Sequence, residues 1–434
     1  MSKRTSVLAL TALLALTSFA SANGLNLNGL GTRAQSMGGA FVGVADDFSA
    51  VFWNPAGAAA FRQTTFGFCA VDLIPKATYR FEYEISIPEI NPLIDATTQV
   101  SHYLGFLGAY YKPIGPKIVV GLGIGTPSGF GTLWDGDDFL DLTGGTPFDR
   151  SSKVGLFSIS PLVAVSVNEW LSVGATLNIN HGIFSLKRPG GNASIEPGQM
   201  VDLGQYEENM NGWGFGATFG IMARPIEALS VGLTVRTPST ISFEGLARLS
   251  YLPLHDLPGT SDLERKITWP LWIAGGVSFR PVDRLLLSAD VHWTQWSKID
   301  RLTTDYLDPF WADLFTTGGI DSSSMRLSWE NALQVRFGAE YALNPTMSIR
   351  AGYTRDPAPG PDSTLNVLLP TFTFNAFSAG VGKTIGNLQL DFGLEYLAGQ
   401  ERTPMPDFWL DILQGFGTYD MNIVVPSISI QYRF

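Results

Sequence analysis

The chain is poor in the residues that most chemistry and most membrane helices need. Its one cysteine, Cys69, cannot form an internal disulfide. Its four histidines, His102, His181, His255 and His292, form no Cys/His grouping at metal-ligand spacing, so neither a metal centre nor any other cofactor is expected. No apolar run after the N-terminus reaches the roughly 20 residues a helix needs to cross a bilayer, which excludes an α-helical membrane protein. Basic charge is scarce as well. Removing Lys3 and Arg4 from the 28 basic residues leaves 26 against 39 acidic ones, a net charge of −13. That balance argues against nucleic acid or anionic lipid as the main partner. Gly31, Gly38 and Gly39 make no phosphate loop, because no strand precedes them. Ser288, Asp290 and His292 have the composition of a hydrolytic triad and share one face of a strand. Same-face neighbours on a strand lie about 7 Å apart, beyond the reach a triad needs, and the chain is not expected to be an enzyme.

What is present points elsewhere. Of 434 residues, 45% are apolar, 12% aromatic and only 15% charged, with 47 glycines. Without a spanning helix, that composition suits a β-barrel whose outer face meets lipid. Residues 1–22 carry Lys3 and Arg4, an apolar run from Val7 to Leu16 and the small-residue site Ala20-Ser21-Ala22. They read as a secretory signal peptide, so the mature chain starts at Asn23 and the destination is the bacterial outer membrane.

Residues 62–434 read as the barrel. From 64–74 to 422–434, fourteen segments of alternating polarity recur, predicting an all-β fold, a fourteen-stranded antiparallel transmembrane barrel. Tight turns such as Asn168-Glu169 and Gly386-Asn387 alternate with long connections, as short periplasmic turns alternate with outer loops. In the last segment Ile428, Ile430, Tyr432 and Phe434 alternate with Ser427, Ser429, Gln431 and Arg433. A terminal strand ending in Phe434 resembles the signal read by the barrel-assembly machinery. The outer face is expected to meet outer-membrane lipid and lipopolysaccharide, and the protein to be a monomer.

Three regions are candidates for function. Along the fifth segment, 170–188, parity turns Phe184, Leu186 and Arg188 inward, which suits an amphipathic ligand and equally suits a strand leaving the membrane. The third segment, 117–127, carries Gly121, Gly123 and Gly125 on one face and ends at Pro127. This predicts a distortion of the wall, or simply room for something packed inside. The outer connections hold Leu252, Leu254, Phe310 and Trp311, and the run from Phe408 to Leu413. Such apolar loops either capture a hydrophobic ligand or pack on one another.

Residues 23–61 precede all of this and match no strand pattern. They are rich in Gly and Ala, contain Asn54-Pro55-Ala56, and carry Leu25, Leu27, Phe41, Phe52 and Trp53, too apolar for a disordered leader. The expectation is a hatch that plugs the barrel, with its inner end at the ligand.

With these features the chain resembles the FadL/TodX family of outer-membrane transporters of long-chain fatty acids and other hydrophobic compounds. The resemblance rests on Gly29-Leu30-Gly31, Gly38-Gly39-Ala40, Ala45-Asp46-Asp47, Asn54-Pro55-Ala56, Asn211-Gly212-Trp213-Gly214-Phe215-Gly216, Val235-Arg236-Thr237, Trp293-Thr294-Gln295-Trp296-Ser297 and Arg350-Ala351-Gly352-Tyr353 with Asp356. It implies a fourteen-stranded barrel closed by an N-terminal hatch, a kinked third strand that opens the wall sideways, and a hydrophobic ligand, most often a fatty acid. The implied partner of a fatty-acid carboxylate is Arg188; a second basic position of the family aligns with Thr303, beside Arg301. A hydrocarbon channel of the same family and a general porin are the alternatives. A plugged barrel predicts little steady ion conductance in planar bilayers; a large steady conductance would contradict the plug.

Overall fold

The computed structural model describes residues 24–82, 93–196, 199–316, 323–404 and 417–434. The signal peptide and the apolar run from Phe408 to Leu413 lie outside the described residues. Fourteen long strands dominate: β1 (Thr65–Glu82), β2 (Tyr103–Ile114), β3 (Ile118–Trp134), β4 (Arg150–Ser166), β5 (Leu171–Pro189), β6 (Gln205–Ile226), β7 (Leu229–Arg236, continued as Ser239–Leu249), β8 (Thr260–Trp269, continued as Trp272–Val282), β9 (Leu285–Thr294), β10 (Ala332–Asn344), β11 (Met347–Asp356), β12 (Phe374–Ile385), β13 (Leu388–Gly399) and β14 (Thr418–Arg433). Neighbours in sequence pair antiparallel. β14 returns to β1, from Thr65 opposite Arg433 to Arg80 opposite Thr418, so the sheet closes on itself.

Alternation explains why these segments form strands of a barrel and which way each faces. On β9, Leu287 and Val291 are exposed on the outside while Ser288, Asp290 and His292 are buried. On β6, Trp213, Phe215, Phe219 and Ile221 form an outward apolar band. The tight turns fall where punctuation predicts them; Gly115 (φ 74°) and Gly386 (φ 60°) take the left-handed backbone that such turns require.

Two adjacent strands are broken at the same level. β7 stops at Thr237-Pro238 and β8 at Pro270-Leu271, and across the break Arg236 still pairs with Trp272 and Ser239 with Trp269. Proline has no N–H to give a ladder, so each break follows from the sequence.

Residues 24–64 contain α1 (Thr32–Ser36), α2 (Ala50–Trp53) and a 3-10 turn, Pro55–Ala60. Asn54 starts that turn by accepting a hydrogen bond from Ala56 N (3.1 Å), with Pro55 at its first position, where a missing N–H costs nothing. Phe41, Phe48, Trp53, Asn54 and Ala56 are all buried, against inward groups of the strands. Wall glycines make this approach possible: a Cβ on Gly174 would collide with the Pro55 carbonyl, one on Gly220 with Asn54 Oδ1, and one on Gly352 with the Gly38 backbone.

Gly220→Ala should therefore cost about 1–3 kcal/mol by overpacking. It should lower the temperature at which the folded barrel loses its characteristic gel mobility. Gly108→Ala, where the nearest atom to a new Cβ is 3.6 Å away, is the control. Equal temperatures for both would contradict the tight fit.

Candidate functional site

The N-terminal segment is held to the strands by charge. Arg33 makes a two-pronged contact with Glu340 on β10 (2.8 and 2.9 Å) and also meets Asp46. Glu340 is shared with Arg350 on β11 (2.6 Å), which also reaches Asp391 on β13 (2.7 Å). Asp290 accepts the N–H groups of Phe41 and Val42, both at 2.8 Å, and lies 3.3 Å from His292 Nε2. Asp290 and His292 thus come closer than their spacing along the strand predicts, while Ser288 Oγ donates to Gly338 O at 3.5 Å and Asp290 is taken up by the N-terminal segment. Arg336 on β10 donates to Asn28 O (2.9 Å), Asn28 Oδ1 (2.7 Å) and Gly38 O (3.2 Å), and Asn28 Nδ2 donates to Glu395 on β13. Within the segment, burial pushes the Asp47 carboxyl up to about 6, against the pull of Arg33 and of its hydrogen bonds from Ser49.

A cavity of about 70 Å³ lies between this segment and the broken part of β7 and β8. Phe52, Leu107, Leu156, Trp269 and Trp272 supply its apolar lining. Ser158, Ser160, Asn178, Asn180 and Thr218 add neutral polar groups, several already bonded to one another. Its one cation is Arg236, the last residue of β7 before the break. Arg236 Nη2 donates to Phe52 O (3.0 Å), and its guanidinium lies 5.0 Å from the Phe52 ring and 4.9 Å from that of Trp272. Among the described residues no carboxylate pairs with it. A guanidinium half-buried without a counter-ion carries a desolvation cost, and aromatic faces offset only part of it.

The wall beside this cavity is irregular. β2 and β3 are paired from Ile114 opposite Ile118 up to Leu107 opposite Gly125, and the β3–β4 register shifts between Gly125 and Ser128. Above that level β3 turns to the N-terminal segment instead: Asn26 bridges Ser128, Leu27 N donates to Pro127 O (3.3 Å) and Gly129 N to Leu25 O (3.2 Å). The chain leading into β2 regains β3 only where Thr98 bridges Trp134 and Gln99 N donates to Leu133 O (2.8 Å). Between those two levels β2 and β3 share no ladder, and Thr126 Oγ1 takes up the Phe106 N–H (2.9 Å).

The structure brings only some of the sequence candidates to the cavity. Phe52, Gly123, Gly125 and Pro127 line it. Gly125 and Pro127 belong to the bulge, whereas a Cβ on Gly123 would meet Val51 (2.8 Å) and one on Gly121 would meet Tyr111 (2.8 Å), so these two make room. Leu25 is buried under the outer cluster, and Leu27 lines a second cavity. Phe41 and Trp53 pack on each other (6.4 Å), and Trp53 Nε1 donates to Leu30 O (2.8 Å). Asn54 Nδ2 ties Val42 O to Ile221 O on β6, each at 3.1 Å.

Phe184 and Leu186 are buried in the outer apolar cluster and not in the cavity. Arg188 lies over the Tyr206 ring (4.5 Å) and donates to Pro189 O (3.0 Å), away from the cavity lining. Arg301 is exposed beside Asp300 (3.7 Å) and turns no charge inward. Of the outer-loop residues, Leu252 and Trp311 are buried, with Trp311 Nε1 bonded to Pro258 O (2.8 Å), and Phe310 packs on the same cluster; only Leu254 is exposed. Here the loops pack on one another. Sequence reasoning missed Arg236, Asp290, Arg336 and Glu395. The signal for Arg236 was available: an arginine of lumen parity directly before Thr237-Pro238.

Comparison with known proteins agrees with this geometry. Residues 13–434 match the model of a family described as outer membrane protein transport protein (OMPP1/FadL/TodX). A putative outer membrane protein of Neisseria meningitidis serogroup B is 24% identical over 417 residues, covering 88% of each chain. Among solved structures, a FadL homologue from Pseudomonas aeruginosa superposes with a TM-score of 0.77 at 18% identity, covering 95% of this chain and 100% of that one. The Ralstonia pickettii toluene transporter TbuX gives 0.70 at 18% identity, covering 94% of this chain and 99% of that one. At these identities the superpositions establish the fold, and the family match extends over nearly the whole chain. This β-barrel of the outer membrane belongs to the OMPP1/FadL/TodX family of outer membrane transport proteins.

Proposed function

We propose that the protein carries hydrophobic molecules passively across the outer membrane, long-chain carboxylates foremost, with residues 23–61 acting as the hatch. The observation that carries the choice of substrate is Arg236: a half-buried cation without an acidic partner among the described residues, on the wall of an otherwise neutral, largely apolar cavity. A carboxylate head is the ligand group that would remove the cost of that charge. Burying the tail gains about 0.8 kcal/mol per CH₂, roughly 12 kcal/mol for sixteen carbons, so a site enclosing all of it would hardly let go.

Two features support graded passage. The cavity encloses about 70 Å³, well below the roughly 300–1,000 Å³ of a pocket that holds a ligand of moderate size. In this closed state a long tail enters only as Leu25, Asn26 and Leu27 leave the β3 bulge. The same bulge has lost its ladder to β2, so a tail drawn past it meets the membrane and not the periplasm. Lateral release through β3 is thus the favoured exit. Of the four capture candidates in the described outer loops only Leu254 is exposed, which leaves Leu252, Phe310 and Trp311 a smaller part in capture than the sequence alone suggests.

A second reading, uptake of neutral aromatic compounds, is favoured by the stacking of Arg236 between Phe52 and Trp272, which partly satisfies the charge without a ligand. Uptake of labelled oleate and labelled toluene into cells lacking their own transporter separates the two. Arg236→Met should cut oleate uptake about tenfold or more, the worth of a hydrogen bond to a charged group, and spare toluene. Equal loss of both, or of neither, would contradict recognition of a carboxylate.

A further inference from the structure

Residues 24–28 are a partition between two cavities of unlike polarity. On the far side from Arg236 lies a second cavity of about 80 Å³, and Asn26 lines both. Its walls are apolar, with Phe372, Phe374, Leu397 and Ile423 among them. Its polar end is acidic, formed by Asp356 on β11 and Glu395 on β13, and none of its lining residues is basic. Glu395 is 2% exposed. Its Oε1 accepts from Asn28 Nδ2, while Oε2 is buried without a hydrogen-bond partner. A buried carboxylate oxygen left without a donor is unfavourable, and a donor brought by a ligand would relieve it. Arg336, which bonds Asn28 from behind the lining, offsets part of the charge of both acids but brings no donor to Oε2, and a ligand carboxylate would bring none either.

We propose that this second cavity is a separate binding site for apolar molecules ending in an amine, the ammonium group donating to Glu395 Oε2 and the first carbons of the chain lying along Phe372, Phe374, Leu397 and Ile423; at about 80 Å³ it takes the rest of a long chain only as residues 24–28 shift. Arg236 and Glu395 thereby assign anionic and cationic amphiphiles to different chambers, with residues 24–28 between them. The inference goes beyond the carboxylate reading and does not depend on it. No sequence signal marks Glu395, because its role arises only where β11, β13 and Asn28 meet.

The test is equilibrium binding of labelled dodecylamine and labelled dodecanoate to the full mature chain in nanodiscs, with binding to empty nanodiscs subtracted. Glu395→Gln should weaken dodecylammonium binding about tenfold or more and leave dodecanoate within about twofold. Arg236→Met should do the reverse. Leu397→Trp, which fills the apolar wall with Glu395 intact, should also exclude dodecylammonium, and it decides the matter if Glu395→Gln does not fold. Dodecylammonium binding that survives both Glu395→Gln and Leu397→Trp would overturn the proposal. So would mutually exclusive binding of the two ligands at one site in the unaltered protein. Loss of dodecylammonium binding in Glu395→Gln, together with unchanged dodecanoate binding in Arg236→Met, would leave this inference standing and remove the carboxylate reading.

Discussion

Charge buried inside a closed barrel must be paired, and most of this structure follows from how that is done. The strands turn arginines and acids inward that no water layer can freely satisfy, and an unpaired buried ion is far more costly than a neutral group. Arg33 bridges Glu340 to Asp46, and Arg350 carries the network on to Asp391, joining the N-terminal segment to β10, β11 and β13. Asp290 and Arg336 add anchors through backbone N–H and C=O groups. Such a network fixes one position of the segment more than it adds net stability, since the desolvation of each ion offsets much of the attraction. Against that background, Arg236 has no acidic partner among the described residues and Glu395 Oε2 has no hydrogen-bond donor.

Arg236 sits where the wall itself is irregular, whereas Glu395 lies on a strand regularly paired to both neighbours. β7 and β8 break together at Pro238 and Pro270, and the residues beside the break, Arg236 and Trp272, face the first cavity. The β3 bulge between Gly125 and Ser128 trades its partner strand for Leu25 and Leu27. The N-terminal segment is held by paired charge at Arg33 and, at residues 25–28, by backbone bonds to β3 and by side-chain bonds of Asn26 and Asn28. Both cavities border Asn26.

The strand series was legible because alternation, tight turns and barrel closure are local or repetitive signals. Ser288 and Asp290 on one face of β9, Leu287 and Val291 on the other, need no tertiary knowledge to assign. The bulge of β3 was legible from Gly125 and Pro127 for the same reason. What was illegible depends on which strands end up opposite one another. Arg188 had the right parity on β5, but β5 runs beyond the cavity and Arg188 meets Tyr206 in the outer cluster. Trp311 looked like a capture residue, yet its indole bonds Pro258 O across the loops, a contact that no spacing rule foretells. Asp290 has lumen parity by sequence, but that it accepts the Phe41 and Val42 N–H groups depends on the fold.

The central claim is that the leading end of the N-terminal segment must leave the β3 bulge before a ligand can pass. Asn26 and Ser128 are bridge partners on antiparallel chains, within the separation a disulfide spans. A variant with Asn26→Cys and Ser128→Cys can therefore be locked by oxidation, and uptake of labelled oleate measured before and after reduction. The account predicts that uptake is lost in the oxidised barrel and restored by a reducing agent. Equal uptake in the oxidised and reduced forms would contradict it.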